Sequence, residues 1–252
     1  MFAARGGTYN RSKLSPETPN PPSASSGAQY LPVIAIDGPV ASGKSAVGLM
    51  LARQLGYRLV DTGMMYRAIT WLALQRGVSV DHESALVALA ENARIELGQP
   101  SAGGGATLRL NGEDVTSRLR TPDVDRNVSF VSRLPGVRAA LVRLQRALAA
   151  EGRLVMLGRD IGSVVLTDAP LKVYLDASAE VRAKRRYREL ADAGRERPEE
   201  EILEELRERD RMDSERHESP LRAADGALII DTSDLTLEQV VERVREAALV
   251  HP

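Results

Sequence analysis

Nine residues between an apolar run and a stretch of helical period, Gly38-Pro39-Val40-Ala41-Ser42-Gly43-Lys44-Ser45-Ala46, have the makings of an anion cradle. Gly38, Gly43, Lys44 and Ser45 fit G-x-x-x-x-G-K-[ST], whose glycines let successive backbone N–H groups turn toward phosphate oxygens. Lys44 would reach the β and γ phosphates of a nucleoside triphosphate, and the Ser45 hydroxyl would ligate its Mg²⁺. The competing reading is a glycine-rich turn with an exposed lysine. The flanks favour the cradle: VIAID (33–37) reads as a buried strand, and 44–55 as a helix whose positive end adds to the site.

A second group of candidates follows the next apolar segment. YRLVD (57–61) runs into Thr62-Gly63, and Met64-Met65-Tyr66-Arg67 opens a new helical stretch. Carboxyl ends of strands in open α/β sheets face the ligand crevice, which would present Thr62, Tyr66 and Arg67 beside the cradle. Tyr66 and Arg67 could equally be ordinary helix residues. Far along the chain, Arg209, Asp213 and Arg216 are spaced i, i+4 and i+7 and so share one helix face. Arg182, Lys184, Arg185, Arg186 and Arg188 form a basic run after Ser178. Such a run is a solvated face, a nucleic-acid patch or a set of groups aimed at phosphate; Tyr187 is its one aromatic, which argues against single-strand binding. Asp37 is expected to bond to local backbone rather than to metal. His82, His217 and His251 lack metal-ligand spacing, and Trp71 is expected to fill core space behind the helix carrying Tyr66.

Apolar segments alternate with helical ones over most of the chain. VIAID, YRLVD, RLVMLG (153–158), LKVYLDA (171–177) and ALIIDTS (227–233) read as strands, and 44–55, 63–76, 135–151, 178–192, 198–216 and 236–250 as helices. The pattern predicts an α/β fold of the P-loop NTPase type: a five-stranded parallel sheet with helices on both faces. Thr236 with Gln239 has capping-box spacing, and Pro198 followed by Glu199, Glu200 and Glu201 marks a helix start. ARIELG (93–98) and ATLRLNGEDVT (106–116), with Asn-Gly at a turn, predict an inserted small antiparallel sheet. Residues 1–30, rich in Pro, Ser, Gly and Asn, read as a disordered tail, with the folded domain spanning 31–252.

Bulk properties narrow the class. The 252 residues carry 34 basic and 35 acidic side chains, a net charge of −1, which does not advertise a nucleic-acid partner. Only four of the basic residues are lysines, so arginine, the better bidentate partner for phosphate, dominates. Cysteine is absent, which excludes disulfides and thiolate metal sites. No apolar run approaches the roughly 20 residues of a membrane span, and no signal-peptide core is present. The expectation is a cytoplasmic monomer with small-molecule partners and no membrane or nucleic-acid contact. A GTPase switch would need N-K-x-D and D-x-x-G motifs, which do not occur at suitable positions.

GPVASGKS, DTGMMYR (61–67), GRDIGSVV (158–165), KVYLDAS (172–178) and RERDRMDSER (207–216), in that order, resemble the bacterial cytidylate kinases, which move the γ-phosphate of ATP to CMP or dCMP. The resemblance implies that Ser129, Arg138 and Asp160 read the cytosine ring. Arg159 and Arg67 would hold the acceptor phosphate, with Thr62 and Tyr66 lining the same pocket. Asp213 would partner the sugar hydroxyls, and Arg209 and Arg216 the phosphates. It also implies a monophosphate-binding insertion at about 62–125 and a helical lid at about 181–197, with Arg182, Arg185 and Arg186 directed inward. Lys44, those three arginines and Arg209 would be the catalytic set. Several members of that family carry a carboxylate immediately before the G-R-D, where this chain has Leu157. A kinase for another acceptor (UMP, AMP or a small metabolite) and a nucleotide-dependent binding switch are the rival readings.

Overall fold

A continuous apolar run lets a strand be covered on both faces, and VIAID meets that condition: Ile34 and Ile36 point to one side, Ala35 to the other, all fully buried. In the computed structural model, which describes residues 29–98, 105–216 and 218–250, that segment is β1 (Val33–Asp37), the central strand. The chain continues through α1 (Lys44–Leu55), β2 (Arg58–Asp61), α2 (Thr62–Gln75) and α3 (Glu83–Asn92). A small sheet follows, β3 (Ile95–Gly98), β4 (Thr107–Leu110) and β5 (Glu113–Asp114), then a 3₁₀ turn at Thr116–Arg120, α4 (Pro122–Ser132) and α5 (Pro135–Ala150). β6 (Leu154–Leu157), a wide turn at Ile161–Val165, β7 (Leu171–Asp176), α6 (Ala179–Asp192), α7 (Glu199–Ser214), β8 (Leu228–Asp231) and α8 (Leu237–Ala247) complete it.

The main sheet is parallel throughout, in the order β2-β6-β1-β7-β8, and the small one is antiparallel, β3-β4-β5. Val47 and Leu51 of α1 and Val240 and Val244 of α8 pack on the face formed by Ile34, Ile36, Val155 and Leu175. Met65 and Ile69 of α2, Leu86 of α3 and Leu141 of α5 pack on the other, against Ala35, Val60 and Met156. Burying each such side chain contributes about 2 kcal/mol, so the sheet is fixed from both sides and its strand ends are held rigidly. All five expected strands and six expected helices form, with ends displaced by at most a few residues.

The turn between β4 and β5 has Asn111 at φ 53° and Gly112 at φ 88°, the left-handed pair that Asn-Gly supplies. The capping box at Thr236 and Gln239 is complete, with both reciprocal bonds made. Two helices were not legible in the patterning. α4 nonetheless carries a start signal, Thr121 accepting from the Val124 N–H with Pro122 at the first position, and Val124, Val128 and Val131 at helical spacing. The expected tail lies outside the described residues up to position 28. Gln29 and Tyr30, however, belong to the fold: Tyr30 bridges Leu249, and the Val250 N–H donates to the Gln29 carbonyl at 2.8 Å. Residues 99–104, His217 and His251 also lie outside the described residues. Among those described, no helix is long and apolar enough to cross a membrane and no cluster of three or more His, Cys, Asp or Glu could hold a metal. Trp71 packs against the core as expected, with Arg118 over its ring at 5.4 Å.

Candidate active site

β1 delivers the cradle to the carboxyl edge of the sheet. Gly38 has φ 149°, and a Cβ there would lie 2.1 Å from the Leu175 carbonyl oxygen, so no side chain fits between the loop and β7. Gly43, at φ 94°, precedes α1 with no side chain capping the helix, and the first turn contains no acid. The first N–H groups of α1 are therefore left for an anion. Lys44 is buried, with Nζ donating to the Pro39 carbonyl at 2.5 Å and toward Ser42 Oγ at 3.2 Å. Burial, and then the charge of Arg159, push its ammonium well below the usual lysine range. Ser45 Oγ donates to Asp61 Oδ2 at 3.2 Å.

Asp37 does bond to backbone, though not locally. Its two oxygens accept from the Ile161 and Gly162 N–H groups, each at 2.8 Å, and so pin the turn that presents Arg159 and Asp160. Burial outweighs those two donors and lifts the carboxyl to about 6. Because the folded value exceeds the unfolded one, this group favours folding below about pH 4, and that contribution is lost as pH rises through 6. Relative to Asp37→Asn, the wild-type chain should lose on the order of 2–3 kcal/mol of unfolding free energy between about pH 4 and pH 7. Urea titrations at several pH values would check this; a constant difference between the two proteins would contradict it.

Beside the cradle, arginines from three separate segments converge. Arg67 of α2 donates to Asp125 Oδ1 at 2.6 Å and to the Leu119 carbonyl at 3.1 Å. Arg159 donates to Asp213 Oδ2 at 3.0 Å, and Arg216 lies 3.2 Å from Asp213 Oδ1. Arg216 is past the end of α7, so the expected shared helix face holds for Arg209 and Asp213 only, yet Arg216 still folds back onto Asp213. Burial pushes the Asp213 carboxyl up, but Arg159, Arg216 and Arg209 together outweigh it and hold the group below the usual range. Arg209 Nε is shut off from solvent with no hydrogen-bond partner. Burial, then repulsion from Arg159 and Arg67, lowers its guanidinium to about 10. Positive charge exceeds negative in this group, which is the condition for taking up an anion.

A third cluster adjoins it. Arg138 of α5 and Asp160 form a buried ion pair, and Arg138 also donates to Ser219 Oγ at 2.9 Å, the Tyr66 hydroxyl at 3.3 Å and the Ser132 carbonyl at 3.4 Å. Ser129 is half-buried on α4, one turn ahead of Ser132. Thr62 is buried with its hydroxyl committed to the Leu157 carbonyl at 2.8 Å, so it fastens α2 to β6.

The three arginines of the basic run expected to turn inward part company. Arg182 is buried and bridges the cradle to α7: it donates to the Val40 carbonyl at 3.3 Å, the Ala177 carbonyl at 2.9 Å and Asp210 Oδ2 at 2.6 Å. Arg186 approaches Asp125 Oδ2 at 3.6 Å, which places Asp125 between Arg67 and Arg186. Arg185 does not join them; it donates to Thr232 Oγ1 at 2.9 Å and to the Thr232 carbonyl at 2.5 Å, behind the cradle. Asp125, Asp210 and Ser219 carry no site signal in the sequence. Asp125 looks like a helix-start acid, Asp210 like one charge among many, and Ser219, at φ 55°, follows the last turn of α7 with no periodic signal.

A phosphate-binding loop at the sheet edge, facing converged arginines and a separate buried polar pocket, defines a P-loop kinase of the nucleoside-monophosphate type. A family model for cytidylate kinase matches residues 34–249, and the chain belongs to that family. It is 49% identical over 214 residues to a cytidylate kinase of Caldanaerobacter subterraneus subsp. tengcongensis, covering 85% of this chain and 93% of that one. It is 47% identical over 213 residues to a cytidylate kinase of a Geobacillus species, covering 84% and 94%. A solved shikimate kinase from Bacteroides thetaiotaomicron aligns with a TM-score of 0.44 and 13% identity over 86% of this chain and 98% of that one.

Proposed function

We propose that this enzyme transfers the γ-phosphate of ATP to CMP or dCMP, giving ADP and CDP or dCDP. The observation that carries the reading is the gathering of Arg67, Arg159, Arg209 and Arg216 between the cradle and the buried Arg138–Asp160 pair. The loop Gly38 to Ala46, through its N–H groups and Lys44, holds the triphosphate. Phosphate oxygens would restore to Lys44 the charge stabilisation that burial removes. Arg138 and Asp160, backed by Tyr66 and with Ser129 nearby, offer a base both donors and an acceptor. Asp213 takes the sugar hydroxyls, Arg67 and Arg159 the acceptor phosphate, and Arg209 and Arg216 the phosphates near the point of transfer.

The acceptor phosphate is itself largely ionised near neutral pH, its second pKa being about 6, so no general base is required. One of its oxygens attacks the γ-phosphorus in line, the bond to the β–γ bridging oxygen breaks, and ADP leaves. The arginines offset the repulsion between the two polyanions and stabilise charge on the loose transition state. The Ser45 hydroxyl and the Asp61 carboxylate, both oxygen donors, suit Mg²⁺, which on this reading would neutralise charge on the β and γ phosphates. With no larger cluster of acidic ligands among the described residues, most of its ligands would be phosphate and water oxygens. The segment at about 181–197, most of α6 and the stretch that follows it, acts as a lid whose closure excludes water. Small-molecule partners, a cytoplasmic setting and a monomeric enzyme complete the proposal.

A coupled assay for ADP formation with CMP, dCMP, UMP and AMP tests it. CMP and dCMP should be preferred; equal or better turnover with AMP would overturn the acceptor assignment. Asp160→Asn should raise KM for CMP at least tenfold, about 1.4 kcal/mol, with KM for ATP nearly unchanged. A uniform rise in both would move Asp160 out of the base pocket.

A further inference from the structure

P-loop enzymes of the NTPase class pair the hydroxyl after the P-loop lysine with a carboxylate from a neighbouring strand, the two together facing the nucleotide-bound metal. The strand next to β1 on this side is β6, and it ends in Leu157, not in an acid. Leu157 is fully buried beneath α1, where a Cβ on Gly48 would lie 2.6 Å from Leu157 Cδ2. The leucine and the glycine fit each other, so position 157 is packing. Asp37, at the end of β1, has both oxygens occupied by backbone N–H groups. One strand further out, Asp61 ends β2 in direct register with Leu157.

We infer that Asp61 is the metal-side carboxylate of this kinase, taking from the end of β2 the role that Leu157 cannot fill at the end of β6. Oδ1 of Asp61 caps α2 by accepting from the Gly63 N–H at 3.0 Å, which fixes the side chain's orientation. Oδ2 is thereby aimed at Ser45 Oγ, 3.2 Å away. Neighbouring ligands in an octahedron with bonds of 2.0–2.1 Å are about 2.9 Å apart, close to that separation. Ser45, Asp61 and Arg67 line one cavity of about 200 Å³ with Leu157 and other apolar side chains. The carboxylate also lies close enough to Lys44 to favour its charged form. The inference rests on the P-loop taking ATP, and not on which monophosphate accepts.

The test is calorimetric titration of ATP into the full chain, once with EDTA and once with Mg²⁺, for wild type and Asp61→Asn. Asparagine keeps an oxygen able to cap Gly63, so the start of α2 survives; Asp61→Ser, another capping residue, serves if melting shows Asp61→Asn to be unfolded. In EDTA the two proteins should bind ATP alike, or the variant slightly better because a negative charge has gone. The tightening produced by Mg²⁺ should be about tenfold smaller in the variant, the scale on which such carboxylates tune metal affinity. An undiminished Mg²⁺ gain in the variant overturns the inference alone. Failure of wild type to bind ATP in either buffer overturns the P-loop reading, and the inference with it.

Discussion

Arg209→Met is expected to lower kcat by about 10³-fold while leaving the protein no less stable than wild type. Arg209 faces Arg159 and Arg67 with its Nε unpartnered, and burial and those two neighbours depress its pKa to about 10. Its charge is thus disfavoured in the fold and becomes useful only when an anion enters. Methionine keeps most of the volume and removes the charge, so native repulsion falls while transition-state stabilisation is lost. Denaturant unfolding beside steady-state kinetics checks both halves. A variant with near-normal kcat would take Arg209 out of the reaction, and one that is active but unstable would make it a structural residue.

Arg182→Ala should behave differently, losing activity and stability together. Arg182 is buried, and it ties the Val40 carbonyl at the tip of the cradle, the Ala177 carbonyl at the end of β7, and Asp210 of α7 into one network. Removing it leaves the Asp210 carboxylate without its cation, a loss of about 3 kcal/mol for a largely buried pair. The cradle's tip would also lose a support, so kcat should drop by at least about tenfold, with a rise in KM for ATP. Comparison with Asp210→Asn separates the two effects: that variant should share much of the stability loss but less of the kinetic one. Full activity in Arg182→Ala at temperatures where it remains folded would limit the residue to structure.

Nothing in the linear pattern distinguished these two arginines. Both belong to charged helical runs, and the resemblance places both in the catalytic set. What separates them is the company each keeps: a carboxylate within 2.6 Å for Arg182, like charges for Arg209. Arg185 makes the same point, since its spacing from Arg182 permitted an inward role and Thr232 takes its guanidinium instead. Ser219 and Asp125 carried no signal, because a residue that braces another side chain need have no period and no motif.

The residues that do their work through the backbone were readable from order alone. A glycine turn between a buried strand and a helix start needs only its neighbours in sequence to make an anion site, because the N–H groups and the helix end are local. Continuous apolar runs alternating with helical periods likewise determined the parallel sheet and the helices that cover it, since burial on each face is a local requirement on each element. Which guanidinium groups meet, which carboxylate each one finds and which strand end faces Ser45 depended on the tertiary structure. Those contacts join segments far apart in the chain, and Coulomb energies and burial follow distance in space, which no spacing along the sequence encodes.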